Sequence, residues 1–119
     1  MKVIKNELIC CFDVDDTLLM WEHKNKETAG VYFKDPHDGA MHLLVPHKKH
    51  IKLLKDLKSR GYTIIVWSGG GYAWAKAVVE TLKLEDYVDF CMSKVTKYVD
   101  DLQAEEVLGS RIYLKHEDE

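Results

Sequence analysis

The sequence predicts an α/β fold: a central parallel sheet of about five strands, helices on both faces and a small β-hairpin flap. Three observations point there. Residues 8–12 (LICCF) form a short apolar run bounded by polar residues, the pattern of a strand buried on both faces. The order along the chain is mostly strand, helix, strand, helix. Polar groups fall at the ends of the strands, where ligands bind in parallel sheets.

The elements follow in order. Residues 1–7 read as a polar lead-in, and a first strand covers residues 8–13. It ends at three carboxylates within four positions, Asp13, Asp15 and Asp16, because ionised groups cannot sit unpaired in a core. Residues 21–45 read as a flap: short strands at 31–33 and 41–45, joined by the turn chemistry of Asp35-Pro36-His37-Asp38-Gly39. Pro46 is expected at the first position of a helix striped by Ile51, Leu53, Leu54 and Leu57, with Gly61 as its C-terminal cap. Residues 62–67 (YTIIVW) are a second buried strand, followed by Ser68-Gly69-Gly70-Gly71 and a helix from about residue 72 to 82. A third strand is expected at 88–92 and a fourth at 97–100, ending in Asp100-Asp101. A short helix at 102–108, a fifth strand at 111–114 and a frayed tail complete the chain.

Composition narrows the function classes. One domain fits 119 residues, and with 46% hydrophobic and 31% charged residues a packed core is expected rather than disorder. A formal charge of −3 argues against nucleic-acid binding by bulk electrostatics. No apolar run approaches the roughly 20 residues of a membrane span, and the first five residues lack the apolar core of a secretory signal. Cys10, Cys11 and Cys91 read as small hydrophobes in strands, which suggests a reducing, cytoplasmic setting. His47 and His50, three apart on a helix without a zinc motif, read as solvent-facing.

Asp13 and Asp15 are two apart in extended chain and project together, roughly 6 to 7 Å apart. Converging carboxylates repel unless a cation or proton lies between them, which predicts a hard metal ion held by oxygen ligands. A calcium loop fits poorly, since its sixth position is Leu18 and its twelfth Lys24. The glycine run lacks the Lys-Ser/Thr of a nucleotide phosphate loop.

FDVDDTLL after an apolar strand, the strand ending in Ser68, then Lys94 and YVDD, resemble the four motifs of the haloacid dehalogenase superfamily over most of the chain. The resemblance implies a three-layer Rossmann-like fold and a Mg²⁺-dependent phosphatase working through an aspartyl-phosphate. It implies Asp13 as nucleophile and Asp15 as the acid and base. Ser68, with Gly69 and the helix start after it, would bind the phosphoryl group, and Lys94 would balance charge, with Lys97 as competitor. Asp13, Asp15 and Asp100 would hold the metal, while Asp101 would act through water or hold Lys94. Thr17 reads as a local turn residue. Trp21 and the flap aromatics stand near the mouth, and Trp74 reads as core.

No cap domain fits at either insertion point, so the site is expected to be open. It suits a bulky phosphorylated partner such as a nucleic-acid end or phosphoprotein, or closure by a second subunit in a homo-oligomer. A small phosphorylated molecule is kept as a further substrate class. Two alternatives remain: a non-enzymatic phospho-acceptor resembling a receiver domain, whose acidic residues come in a different order, and an inactive binding protein with the same fold.

Overall fold

The computed structural model describes residues 8–116; the lead-in at 1–7 and the end of the expected tail lie outside the described residues. Strand β1 (Ile9–Asp13) pairs in parallel with β5 (Thr63–Ser68), and β5 pairs in parallel with β6 (Phe90–Ser93). This three-stranded sheet has the order β1-β5-β6. A separate antiparallel sheet of order β2-β4-β3 is built from β2 (Leu19–Met20), β3 (Val31–Lys34) and β4 (Met41–Pro46). Among the described residues four helices complete the fold: α1 (Lys26–Ala29), α2 (Lys48–Ser59), α3 (Tyr72–Thr81) and α4 (Ala104–Val107).

The architecture corrects the fold expected from sequence. Among the described residues there is no three-layer, five-stranded central parallel sheet flanked by helices. The strands expected at 97–100 and 111–114 form no ladder among the described residues. The physical reason is burial. A strand must bury a face to offset the entropy of ordering it, and Val99 and Ile112 stay exposed. Strand β1, expected in the middle of the sheet, lies at its edge, with Ile9 exposed. The expected flap hairpin does form, but β4 turns it into part of a second sheet by also pairing with β2.

Both sheets close over one core. Phe12, Val14, Leu18 and Leu19 from the N-terminal region meet Phe33 and Leu44 of the antiparallel sheet. Ile64 and Val66 of β5, Leu54 and Leu57 of α2, and Trp74, Ala75, Val78 and Val79 of α3 complete it. Helix α2 buries His50, Leu54 and Leu57, a four- and three-residue spacing that fits one helical face. It ends as its sequence demands: Gly61 takes a left-handed φ of 91°, and Tyr62 N–H and Gly61 N–H return to the Leu57 and Lys58 carbonyls. Asp89 braces α2 to the sheet, since its carboxylate accepts from Lys58 Nζ at 2.7 Å and from Ile64 N at 2.7 Å. The Lys58 hydrogen bond, then the Ile64 bond, hold this carboxyl below its ordinary range.

Two local expectations also change. Pro46 ends β4 instead of opening a helix, and His47 is the cap of α2. His47 and His50 are buried, not solvent-facing, at 0% and 2% exposure. Their rings stack with centroids 3.8 Å apart. Both hold the same C-terminal residue. His47 Nδ1 accepts from His50 N, so its Nε2–H donates to the Leu114 carbonyl at 2.8 Å. His50 Nε2 accepts from Leu114 N at 2.8 Å, so its Nδ1–H donates to the Thr17 carbonyl at 2.7 Å. Each ring is thereby a neutral imidazole of fixed tautomer.

Leu54 is fully buried. Leu54→Ala is expected to lower unfolding free energy by about 2 to 5 kcal/mol, read by urea denaturation. Burial, and then the neighbouring His50, push the His47 pKa below its ordinary 6.5. The unfolded chain therefore takes up a proton near 6.5 that the folded ring resists. Stability is fully present above that value and is lost as pH falls below it. Across a window from about pH 7.5 to about 5.5, the Tm of the native chain should fall more than that of His47→Gln, which keeps a donor for Leu114.

Candidate functional site

The site forms where the parallel strands end. Asp13 closes β1 opposite Trp67 of β5, and Ser68, the next residue of β5, lies opposite Ser93 of β6. Lys94 follows Ser93 directly, and its own N–H donates to the Ser68 carbonyl at 2.9 Å. Parallel register thus delivers Asp13, Ser68 and Lys94 to one end of three adjacent strands. Lys94 Nζ lies 3.1 Å from Asp13 Oδ1. Lys97, the alternative for this role, is exposed.

A single turn carries the acidic residues past β1. The Val14 carbonyl accepts from the N–H groups of Thr17, Leu18 and Leu19 at 3.2, 2.9 and 3.3 Å. Val14, Leu18 and Leu19 are fully buried and pin the turn to the core, while Asp16 takes a left-handed φ of 61°. Aspartate tolerates that conformation better than most residues with a Cβ. The Thr17 hydroxyl donates to Asp13 Oδ2 at 3.0 Å. Both oxygens of Asp13 are therefore held, one by a cation and one by a neutral donor.

Asp15 is held differently. Its Oδ1 accepts from two indoles, Trp21 Nε1 at 2.8 Å and Trp74 Nε1 at 3.1 Å. Trp74 is core, as its helical spacing indicates, yet its one polar atom reaches the site. The sequence reading missed the Trp74–Asp15 contact; the signal that pointed to it is that a buried indole N–H needs an acceptor. A cavity of about 200 Å³ opens beside them, lined by Asp15, Trp21, Asp35, His42, Gly70 and Trp74, with His37 at its wall. Sequence reasoning had placed Asp35 and His37 only in a turn. They reach the cavity because the flap folds over the strand ends.

Ser68 is fully buried, and its Oγ accepts from Gly70 N at 2.9 Å. With no exposed surface, it does not present the phosphoryl contact that the sequence resemblance implies for it. A Cβ on Gly70 would come within 3.2 Å of the Trp74 ring and 3.3 Å of Ser68 Oγ, so this close approach favours glycine. Gly69 is exposed with open space around it. The first N–H of α3, from Tyr72, donates to Ser93 Oγ at 2.9 Å.

Asp100 does not join this group. It is exposed, and its Oδ1 accepts from Leu102 N at 2.9 Å, a local turn contact. Asp101 is likewise exposed. The strand expected to carry them to the site is not formed. Among the described residues, no group of three or more His, Cys, Asp and Glu side chains is gathered as a metal centre. Asp13 and Asp15, two residues apart at the end of β1, are hard oxygen donors with separate partners: Lys94 and Thr17 for the first, Trp21 and Trp74 for the second. Such a pair fits Mg²⁺, which commonly takes one or two carboxylates together with substrate phosphate and water.

No family model and no curated protein matches the chain. Among the described residues, no helix is long and apolar enough to cross a membrane.

The side chains of Lys94 and Asp13 are 42% and 31% exposed. An ion pair so open to solvent contributes about 1 kcal/mol or less. Lys94→Met should therefore leave the urea midpoint almost unchanged, which makes it a clean probe of the site's chemistry.

Proposed function

We propose that this protein is a phosphohydrolase that cleaves phosphate monoesters through an aspartyl-phosphate on Asp13, with Mg²⁺ as its cofactor. The observation that carries the reading is the 3.1 Å approach of Lys94 to Asp13 at the carboxyl ends of parallel strands, beside Asp15. The order of FDVDDTLL, Ser68 and Lys94, which resembles the haloacid dehalogenase phosphatases, supports it further, whereas Asp100 and Asp101 of YVDD take no part.

The chemistry follows from the residues. A carboxylate oxygen of Asp13 attacks phosphorus, and the bond from phosphorus to the leaving oxygen breaks. Asp15 delivers a proton to that oxygen and becomes the carboxylate. A water then attacks the aspartyl-phosphate, giving its proton to Asp15, and the bond from Asp13 to phosphorus breaks to release phosphate. Lys94 offsets the negative charge that gathers when phosphate meets Asp13. Thr17 restrains the Asp13 carboxylate, and the indoles of Trp21 and Trp74 restrain Asp15. That fixed geometry lowers the cost of orienting the groups for reaction. Mg²⁺, held by the Asp13 carboxylate and the Asp15 backbone carbonyl, would supply charge neutralisation on the phosphoryl oxygens.

The cavity beside Asp15 is where a leaving group would sit. A small phosphorylated metabolite, a phosphoprotein or a phosphorylated nucleic-acid end each remains compatible with it, as does closure by a second copy. Three cysteines free of disulfides, their thiol pKa values pushed up by burial, agree with a reducing compartment.

Turnover of a generic aryl phosphate is expected to require Mg²⁺ and to stop with EDTA. Asp13→Asn and Lys94→Met should each reduce it by about a hundredfold or more while the fold persists by circular dichroism. Unchanged turnover in Asp13→Asn would refute the nucleophile. A screen across nucleotides, sugar phosphates, phosphopeptides and phosphorylated oligonucleotides then identifies the substrate class.

A further inference from the structure

His50 sits on α2, outside the cavity, yet it touches the reactive turn. Its Nδ1–H donates to the Thr17 carbonyl at 2.7 Å, while Thr17 Oγ1 donates to Asp13 Oδ2 at 3.0 Å. On its other side, His50 Nε2 accepts from Leu114 N at 2.8 Å. The ring is 2% exposed, stacked on His47 at 3.8 Å and met edge-on by Tyr113 at 4.9 Å. Tyr113 reaches the same turn independently, donating from its hydroxyl to the Asp16 carbonyl at 3.2 Å. Residues from near the end of the chain thus grip the back of the turn whose front carries Asp13 and Asp15.

We propose that His50 is a positioning residue, a neutral imidazole whose Nδ1–H holds the Thr17 carbonyl and so fixes the Thr17 hydroxyl against Asp13, with Leu114 N–H setting its tautomer from the other side. Only an aromatic five-membered ring with one donor and one acceptor nitrogen, on opposite sides, meets both backbone partners at once. A carbonyl free to swing would carry the Thr17 side chain with it. The catalytic consequence rests on Asp13 being the nucleophile; the structural consequence does not.

Two conservative variants separate the two ends of the relay. Asn at position 50 offers an amide donor where Nδ1 stands, keeping the bond to Thr17 and giving up Leu114. Gln reaches to where Nε2 stands, keeping an acceptor for Leu114 and giving up Thr17. In the full chain, with Mg²⁺ and an aryl phosphate, His50→Asn should hold kcat within about twofold of native, while His50→Gln should lose about tenfold or more with KM little changed. A role confined to anchoring the C-terminal segment gives the reverse order and overturns the proposal, as do two variants that both match the native chain.

A readout free of activity separates this proposal from the phosphohydrolase reading. The Thr17 carbonyl ¹³C resonance and the amide resonances of residues 14–18 should shift in His50→Gln and stay in His50→Asn. That result sustains the positioning role even if the native chain turns over no phosphate ester, in which case only the functional reading falls. Carbonyl resonances that move in neither variant overturn it. Should a variant fail to fold, the imidazole nitrogens of the native chain decide. A protonated Nδ1 and a bare Nε2 at His50 near neutral pH are expected, and the opposite tautomer or an imidazolium refutes the relay.

Discussion

The structure depends on one parallel ladder. Pairing of β1 with β5 and of β5 with β6 sets Asp13, Ser68 and Lys94 at the same end of three strands, on successive positions of the ladder. Side chains alternate along a strand with a period of two, so a slip of one residue would turn Asp13 into the core and Phe12 out of it. What prevents the slip is burial on β5, where Ile64, Val66 and Ser68 face inward with no exposure. The hydrophobic pattern of the central strand therefore fixes the position of a carboxylate on one neighbour and an ammonium group on the other.

Around that ladder, polar side chains are satisfied by an economy of shared acceptors. One oxygen of Asp15 takes two indole N–H groups. The Val14 carbonyl takes three backbone N–H groups, and Leu114 presents both its N–H and its carbonyl to a pair of stacked imidazoles. A buried polar group without a partner costs about 1 to 3 kcal/mol. Such sharing explains how Trp74, His47 and His50 can lie in or beside the core.

Much of this was legible from residue order. The apolar run before Asp13, the turn chemistry at residues 35–39 and the helix ending at Gly61 each announce themselves locally, and β1, the hairpin and α2 form where those signals lie. That Asp13, Ser68 and Lys94 lie at one end of the parallel strands was legible too, because strand ends in a parallel sheet share an edge. What failed was reading short apolar pairs as strands. Tyr98-Val99 and the residues at 111–114 carry β-forming side chains, yet Val99 stays exposed and no neighbouring strand claims it. Propensity without a surface to cover does not make a ladder. The buried histidines escaped notice for the converse reason: each is polar in sequence, and only tertiary hydrogen bonds to Leu114 and Thr17 make its burial tolerable.

Strand β6 is only four residues long and is bonded to a neighbour on one side alone. Edge elements of this kind open locally at far lower free energy than the core beside them. Lys94 hangs from the last rung of that edge, so its charge can swing away from Asp13 without any disturbance of Ile64 or Val66. Electrostatic integrity at the strand ends is consequently a more fragile property than foldedness, and amide exchange at Ser93 and Lys94 would register its loss long before the protein melts.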